Sequence, residues 1–277
     1  MRYKIEACSI FETGKRVDDQ GNPHQEDCIF PAHGELTGDD RLFILCDGMG
    51  GHSAGEVASA AVCRAMSETI LAGRPDAEGP FGEDDFQAAL ASAYDALDAC
   101  DDGAPRKMGT TMTLLKLHDG GYFVAHIGDS RVYHFRPGKD GDGAEIVFRT
   151  QDHSLVNMLL SIGELTEEQA KTFPRKNVIT KAMQPGAEPR PKADIHQSDD
   201  IRAGDCFMLC SDGMLEDMDD DQLRLIFSRA GRGGVGEVGD VLTRATGGNR
   251  DNHSAIIVRI MERTTGGTFL SRLFRKT

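Results

Sequence analysis

Apolar runs of strand length recur along the chain at Leu42 to Cys46, Thr111 to Leu117, Tyr122 to Ile127, Arg131 to Phe135, Cys206 to Cys210 and Ser254 to Ile260. Most close on Gly, Asp or Asn, residues that supply turns, and several are spaced for antiparallel meanders. Helical periodicity lies between them. Ser53-x-x-Glu56 forms a capping box ahead of the stripe Ala58, Ala61, Val62, Ala65, Met66 and Ile70, with a stop at Gly73. A second helix is predicted from about Asp84 to Ala99, with Phe86, Leu90, Ala93 and Leu97 on one face. Thr166-x-x-Gln169 and Asp219-x-x-Gln222 open two more, the latter running through Leu223, Ile226 and Phe227 to Gly231. The Gly-rich stretch Gly231 to Glu237 predicts a surface loop. With no long linker, repeat or compositional break, residues 1–262 read as one domain. The tail 263–277 sets Phe269, Leu270, Leu273 and Phe274 among basic residues and is expected to pack on its own domain or fray.

Composition narrows the class. The 277 residues are 39% hydrophobic, enough for a substantial core. No run approaches the roughly 20 apolar residues of a membrane span, and the N-terminus lacks a signal-like stretch, so a cytoplasmic protein is expected. Seven cysteines without a CxxC pair fit small core residues better than disulfides or a zinc site. A net charge of -14 repels phosphate backbones, which argues against a nucleic-acid binder and favours cations as ligands.

The acidic residues then acquire meaning by position. Asp47 directly follows the run Leu42 to Cys46 and precedes Gly48, Gly50 and Gly51; Asp212 repeats this after Cys206 to Cys210. Asp251 and Asn252 stand just before the run from Ser254, and Asp27 just before Cys28 to Phe30. If the 206 run pairs antiparallel with the 254 run, and the 28 run with the 42 run, all four aspartates reach one edge. So many carboxylates repel unless a cation sits among them. The donors are oxygens, and the nine histidines show no HExxH or i,i+4 pair, so Mg²⁺ or Mn²⁺ suits better than Zn²⁺.

Taken together, Asp47-Gly-Met-Gly-Gly-His-Ser-Ala-Gly-Glu56, Gly109-Thr-Thr111, Ile127-Gly-Asp-Ser-Arg131, Asp152-His-Ser154, Asn177-Val-Ile-Thr180, Cys210-Ser-Asp-Gly213 and Asp251-Asn252 resemble, in order, the motifs of metal-dependent PPM/PP2C-type serine/threonine protein phosphatases, bacterial branch. The resemblance spans about residues 8 to 260. It implies an α+β fold, a four-layer α-β-β-α sandwich with two central antiparallel sheets and a metal cleft at one edge. It further implies that Asp47 bridges two metals, that Gly48 offers its carbonyl to one, and that Asp212 and Asp251 hold the other. Glu26 and Asp27 match the acidic pair that hydrogen-bonds metal-bound water, although the usual preceding Asn is Gln25; Asn252 supports the set from beside Asp251. Asp129 matches a third, weaker metal site shared with Asp212. The expected reaction is hydrolysis of phosphoserine and phosphothreonine in proteins by direct attack of a metal-bridged water, opposing a cognate Ser/Thr kinase, in a monomer. Ser130 and Ser211 lack any triad context and read as supporting hydrogen-bond residues.

Two departures stand out. The phosphate-binding Arg of the family lies five residues before the acidic-pair Asp, whereas Arg16 precedes Asp27 by eleven; an insertion of about six residues within Val17 to His24 reconciles them if it loops out. Met49 stands where eukaryotic relatives carry a His general acid, as is common in bacterial relatives. His52 and His153 read as packing or capping residues, and Ser154 to Lys176 as a helical segment that covers substrate or packs on the sandwich. The rival readings are a phosphatase-like regulatory or binding module with little activity and, disfavoured by the charge, a metal-dependent nuclease.

Overall fold

The computed structural model describes residues 2–50, 54–72, 79–101, 103, 108–138, 143–171, 173–174, 178–228 and 230–264. Eleven strands among these residues form two antiparallel sheets. One sheet orders β1 (Arg2–Glu12), β11 (His253–Thr264), β10 (Cys206–Cys210), β7 (Arg131–Pro137) and β8 (Ala144–Arg149). The other orders β2 (Asp27–Phe30), β3 (Leu42–Met49), β5 (Met112–His118), β6 (Gly121–Ile127) and β9 (Asp194–Ser198), with the short β4 (Gly109–Thr110) also on β3.

Period-two alternation builds the layers. Along β2 and β3, Cys28, Phe30, Leu42, Ile44 and Cys46 pack beneath α1 (Ala54–Ala72) and α2 (Glu83–Asp98), whereas Ile29, Phe43 and Leu45 face the second sheet. Across the gap, Phe207, Leu209, Ile256 and Val258 complete the inter-sheet core. Met208, Cys210, Ala255 and Ile257 turn outward onto α5 (Asp220–Ser228) and α6 (Ala230–Thr246). The result is the expected helix-sheet-sheet-helix sandwich, in which each fully buried Leu, Ile or Phe contributes about 1.5–3 kcal/mol of transfer free energy. All seven cysteines are free thiols.

Both sequence-level pairings occur: β2 with β3, and β10 with β11. The Thr166 and Asp219 signals are reciprocal capping boxes, Thr166 with Gln169 and Asp219 with Gln222. Strands β1, β8 and β9 escape the apolar-run pattern because all three are sheet edges, where exposed charges such as Lys4, Glu6, Glu145 and Asp194 interrupt it. The loop expected at Gly231 to Glu237 is instead part of α6, which is broken at Gly234 (φ 79°). Val235, Val238 and Leu242 form a buried stripe there, and its packing overrides the low helix propensity of the glycines. Strand β11 runs on to Thr264, past the expected domain end at 262. The Ser53 cap, His52, Asn177 and the tail from 265 lie outside the described residues. No helix among the described residues is long and apolar enough to cross a membrane.

Candidate active site

By the same alternation, Asp27 and Asp47 share the inter-sheet face with Ile29 and Leu45, and they are direct partners across β2 and β3. Ser211 follows β10 on that face too and donates to Asp27 Oδ2 at 3.0 Å, while accepting the Ser254 amide at 3.0 Å. Asp47 is fixed through its main chain: its N–H donates to Thr111 Oγ1 (3.0 Å), and its carbonyl accepts from the Thr111 amide (2.9 Å) and Thr110 Oγ1 (3.0 Å). The Gly109-Thr-Thr111 motif thus locks the Asp47 backbone. Gly48 is needed because a Cβ there would stand 2.2 Å from the Gly55 carbonyl oxygen and 2.5 Å from that of Glu26.

Asp212 opens a single 3-10 turn, Asp212–Leu215, directly beyond β10. Asp251 precedes β11, and Asn252 beside it ties three segments together. Its Oδ1 accepts the Glu26 amide at 2.8 Å, and its Nδ2 donates to the carbonyls of Thr13 (2.9 Å) and His24 (2.8 Å). Asp129 sits on the turn between β6 and β7, made possible by Gly128 at φ 111°, where a Cβ would also strike Thr111.

The electrostatics of this edge are strongly unfavourable for bare carboxylates. Burial, then the charges of Asp212 and Asp251, push Asp27 up to about 7. Burial and Asp212 push Asp129 up to about 7 as well. Asp47 is held well above the usual carboxylate range by its surroundings and by Asp27, and Asp212 is raised by burial and Asp251. The Oδ1 atoms of Asp27 and Asp129 are buried without a hydrogen-bond partner among the described residues. An all-oxygen set with raised carboxylates and orphaned acceptor atoms fits a hard divalent cation.

Arg16 reaches this edge despite its displaced sequence position. Its Nε donates to Asp251 Oδ1 at 2.7 Å, and its Nη2 lies 3.4 Å from Glu26 Oε2. The intervening residues form a closed hairpin, with Val17 bridged to Pro23 and the His24 amide donating to the Arg16 carbonyl at 3.1 Å. The insertion therefore loops out. The structure turns the carboxylate of Glu26 toward Arg16.

Arg131 clamps Asp152 through two 2.7 Å bonds, Nε to Oδ1 and Nη2 to Oδ2. His153 accepts the Gly128 amide at Nδ1 (3.0 Å), and its own amide donates to the Gly128 carbonyl (2.9 Å). Asp152 and His153 thus brace the turn that presents Asp129. His126, His153 and Asp194 place ligand atoms within 4.8 Å of one another, the one such trio among the described residues. Lys181 Nζ already lies 3.0 Å from His153 Nε2 and 2.9 Å from Asp194 Oδ1. Because Nδ1 accepts from Gly128, Nε2 of the neutral ring bears the proton and donates to Asp194 Oδ2 at 3.2 Å, while Lys181 donates to Asp194 Oδ1; with Asp194 shared by these two donors, the trio is a poor metal site.

A cleft of about 950 Å³ extends from Asp129, Asp212 and Asp251 past Arg149, Asn157 and Glu216. Val156, Asn157 and Ala170, from α3 (Leu155–Ser161) and α4 (Glu167–Lys171), line it, and α3 buries none of its own residues. Glu216 accepts the Arg250 amide at 2.7 Å. Sequence reasoning missed His24 and Lys181, which carry no motif and join their clusters only through hairpin and sheet contacts.

The Protein phosphatase 2C family profile matches residues 13–239, and the chain belongs to that family. It is 31% identical over 237 residues to the serine/threonine protein phosphatase PstP of Mycobacterium tuberculosis, an alignment covering 82% of this chain and 42% of that protein, so it spans less than half of that relative. It is 33% identical over 183 residues to the protein phosphatase PhpP of Streptococcus pneumoniae, covering 66% of this chain and 71% of the relative. A solved PstP catalytic domain in complex with two manganese ions aligns at TM-score 0.69 and 28% identity, over 94% of this chain and all of that one.

Proposed function

We propose that this chain is a cytoplasmic, monomeric protein phosphatase that hydrolyses phosphoserine and phosphothreonine in other proteins and reverses a cognate Ser/Thr kinase. The observation that supports it best is the set of raised, partly orphaned aspartates gathered at one sandwich edge in a chain of the Protein phosphatase 2C family. Asp47, the Gly48 carbonyl, Asp212 and Asp251 would hold two Mn²⁺ or Mg²⁺ ions, and Asp129 with Asp212 a third, weaker one. When bound, these cations supply the Lewis acidity that draws in a phosphate dianion and activates water for in-line attack on phosphorus, with no phosphoenzyme.

The chain's own groups do the rest. Asp27, anchored at Oδ2 by Ser211, presents its buried Oδ1 toward the edge as an acceptor for a proton of the attacking water. Arg16, at the mouth of the cleft, binds non-bridging phosphate oxygens with its planar guanidinium. Met49 has no proton to give. The cleft flanked by α3 and α4 seats the polypeptide on either side of the phosphoresidue.

The test is turnover of p-nitrophenyl phosphate and a phosphothreonine peptide. EDTA should abolish both, Mn²⁺ or Mg²⁺ should restore them, and zinc alone should not. Asp47→Asn should cut kcat by more than about 100-fold at saturating Mn²⁺, since the lost charge is shared by both cations. A wild-type chain inert toward both substrates would leave the binding-module reading in its place.

A further inference from the structure

The hairpin that separates Arg16 from Glu26 does more than loop out. Its closure is self-contained: the Asp18 amide donates to the Asn22 carbonyl at 2.8 Å, and the Asp18 carboxylate accepts from Gln20 and Asn22 amides and from Asn22 Nδ2. The returning limb delivers His24 directly opposite Arg16, main chain to main chain. The imidazole is largely covered, with 17% of its side chain exposed, and Nε2 is buried without a hydrogen-bond partner among the described residues. That nitrogen faces Glu26 Oε1 at 3.8 Å, while Glu26 Oε2 faces Arg16 Nη2 at 3.4 Å. One buried carboxylate is thus shared by the imidazole on one oxygen and the guanidinium on the other.

Arg16 has a second carboxylate partner, Asp251. On the reading that Asp251 holds a cation, that partner is engaged elsewhere during catalysis, and Glu26 becomes the anchor that orients the guanidinium. We propose that His24 is a positioning residue for phosphate binding: it fixes Glu26, and Glu26 in turn fixes Arg16. Closing the imidazole on Oε1 by about 1 Å gives an ordinary hydrogen bond. The main-chain role of His24, whose carbonyl accepts from Asn252, is separate and survives side-chain replacement. The inference rests on Arg16 being the phosphate-binding arginine of the proposed function.

A double-mutant cycle on the full, Mn²⁺-loaded chain decides it, read by KM and kcat on p-nitrophenyl phosphate and by calorimetric Kd for inorganic phosphate. His24→Ala should raise KM and the phosphate Kd about threefold to tenfold, with kcat within about twofold of wild type. His24→Gln, whose amide nitrogen can reach Glu26, should retain most of the affinity. In an Arg16→Ala background, itself raised in KM, the His24→Ala change should shift either constant by less than about twofold, because the group being positioned is gone. Wild-type constants in His24→Ala, or the same factor lost with and without Arg16, overturn the proposal. A wild-type chain that binds phosphate without turnover strikes the phosphatase reading instead, and the calorimetric cycle then decides on His24 alone.

Discussion

Ser211 shows how one hydroxyl makes a buried carboxylate tolerable. It holds Asp27 Oδ2 and receives the Ser254 amide, so its loss leaves two buried groups short of a partner. Ser211→Ala is therefore expected to cost about 1–3 kcal/mol of stability. Chemical denaturation in EDTA measures this directly, and an unshifted midpoint would contradict the role. No nucleophilic function is needed to explain this serine. The same economy applies to Asn252, whose single amide joins residues 13, 24 and 26 through three bonds.

At the level of elements, the β6–β7 turn separates function from stability. Asp129 makes no side-chain hydrogen bond at Oδ1, and burial raises its pKa to about 7, so it destabilises the turn it occupies when ionised. The brace comes from elsewhere: His153 bonds both main-chain groups of Gly128, and Arg131 grips Asp152. Asp129→Ala should accordingly melt no lower than wild type in EDTA, yet lose at least about tenfold in kcat while two strong metals still bind. Calorimetric metal titration paired with kcat on a phosphopeptide checks both halves. Full activity with a lowered melting temperature would falsify the catalytic reading and reduce Asp129 to a turn residue.

For the molecule as a whole, the raised aspartates set a pH dependence whose sign can be worked out. An aspartate at about 7 when folded and near 3.8 when unfolded binds more protons in the folded state, so its contribution to stability falls as pH rises between those values. His153, lowered to about 4 mainly by burial, together with the lowered His126 and His196, acts oppositely over most of that window. The absolute melting curve therefore mixes both. The increment in melting temperature produced by saturating Mn²⁺ reports on the aspartates, because on the proposed reading the cations compete with protons at that edge. It should keep growing from about pH 5 to about pH 7.5, where ordinary carboxylates would already have levelled off near pH 5. A flat increment across that range would show that the aspartates titrate normally.

The chain's sequence determined the strands that cross the middle of each sheet, whose apolar runs have no other stable place, and the short apolar edge strand β2, and it determined that aspartates would stand at strand ends, two of them beside glycine. It also carried the ordered motifs that mark the family. Edge strands β1, β8 and β9 were not legible, since an edge tolerates the charges that erase an apolar pattern. Nor was the kinked helix α6, whose buried Val235, Val238 and Leu242 prevail over glycine only once a sheet lies beneath them. Register is the deeper case. Only strand pairing puts Asp27 opposite Asp47, and only the closed hairpin returns Arg16 to the edge and sets His24 against Glu26. Those contacts join residues by distance in space, which local pattern does not encode. The chemistry was written in residue types and spacing, while its geometry was decided by which backbones hydrogen-bond side by side.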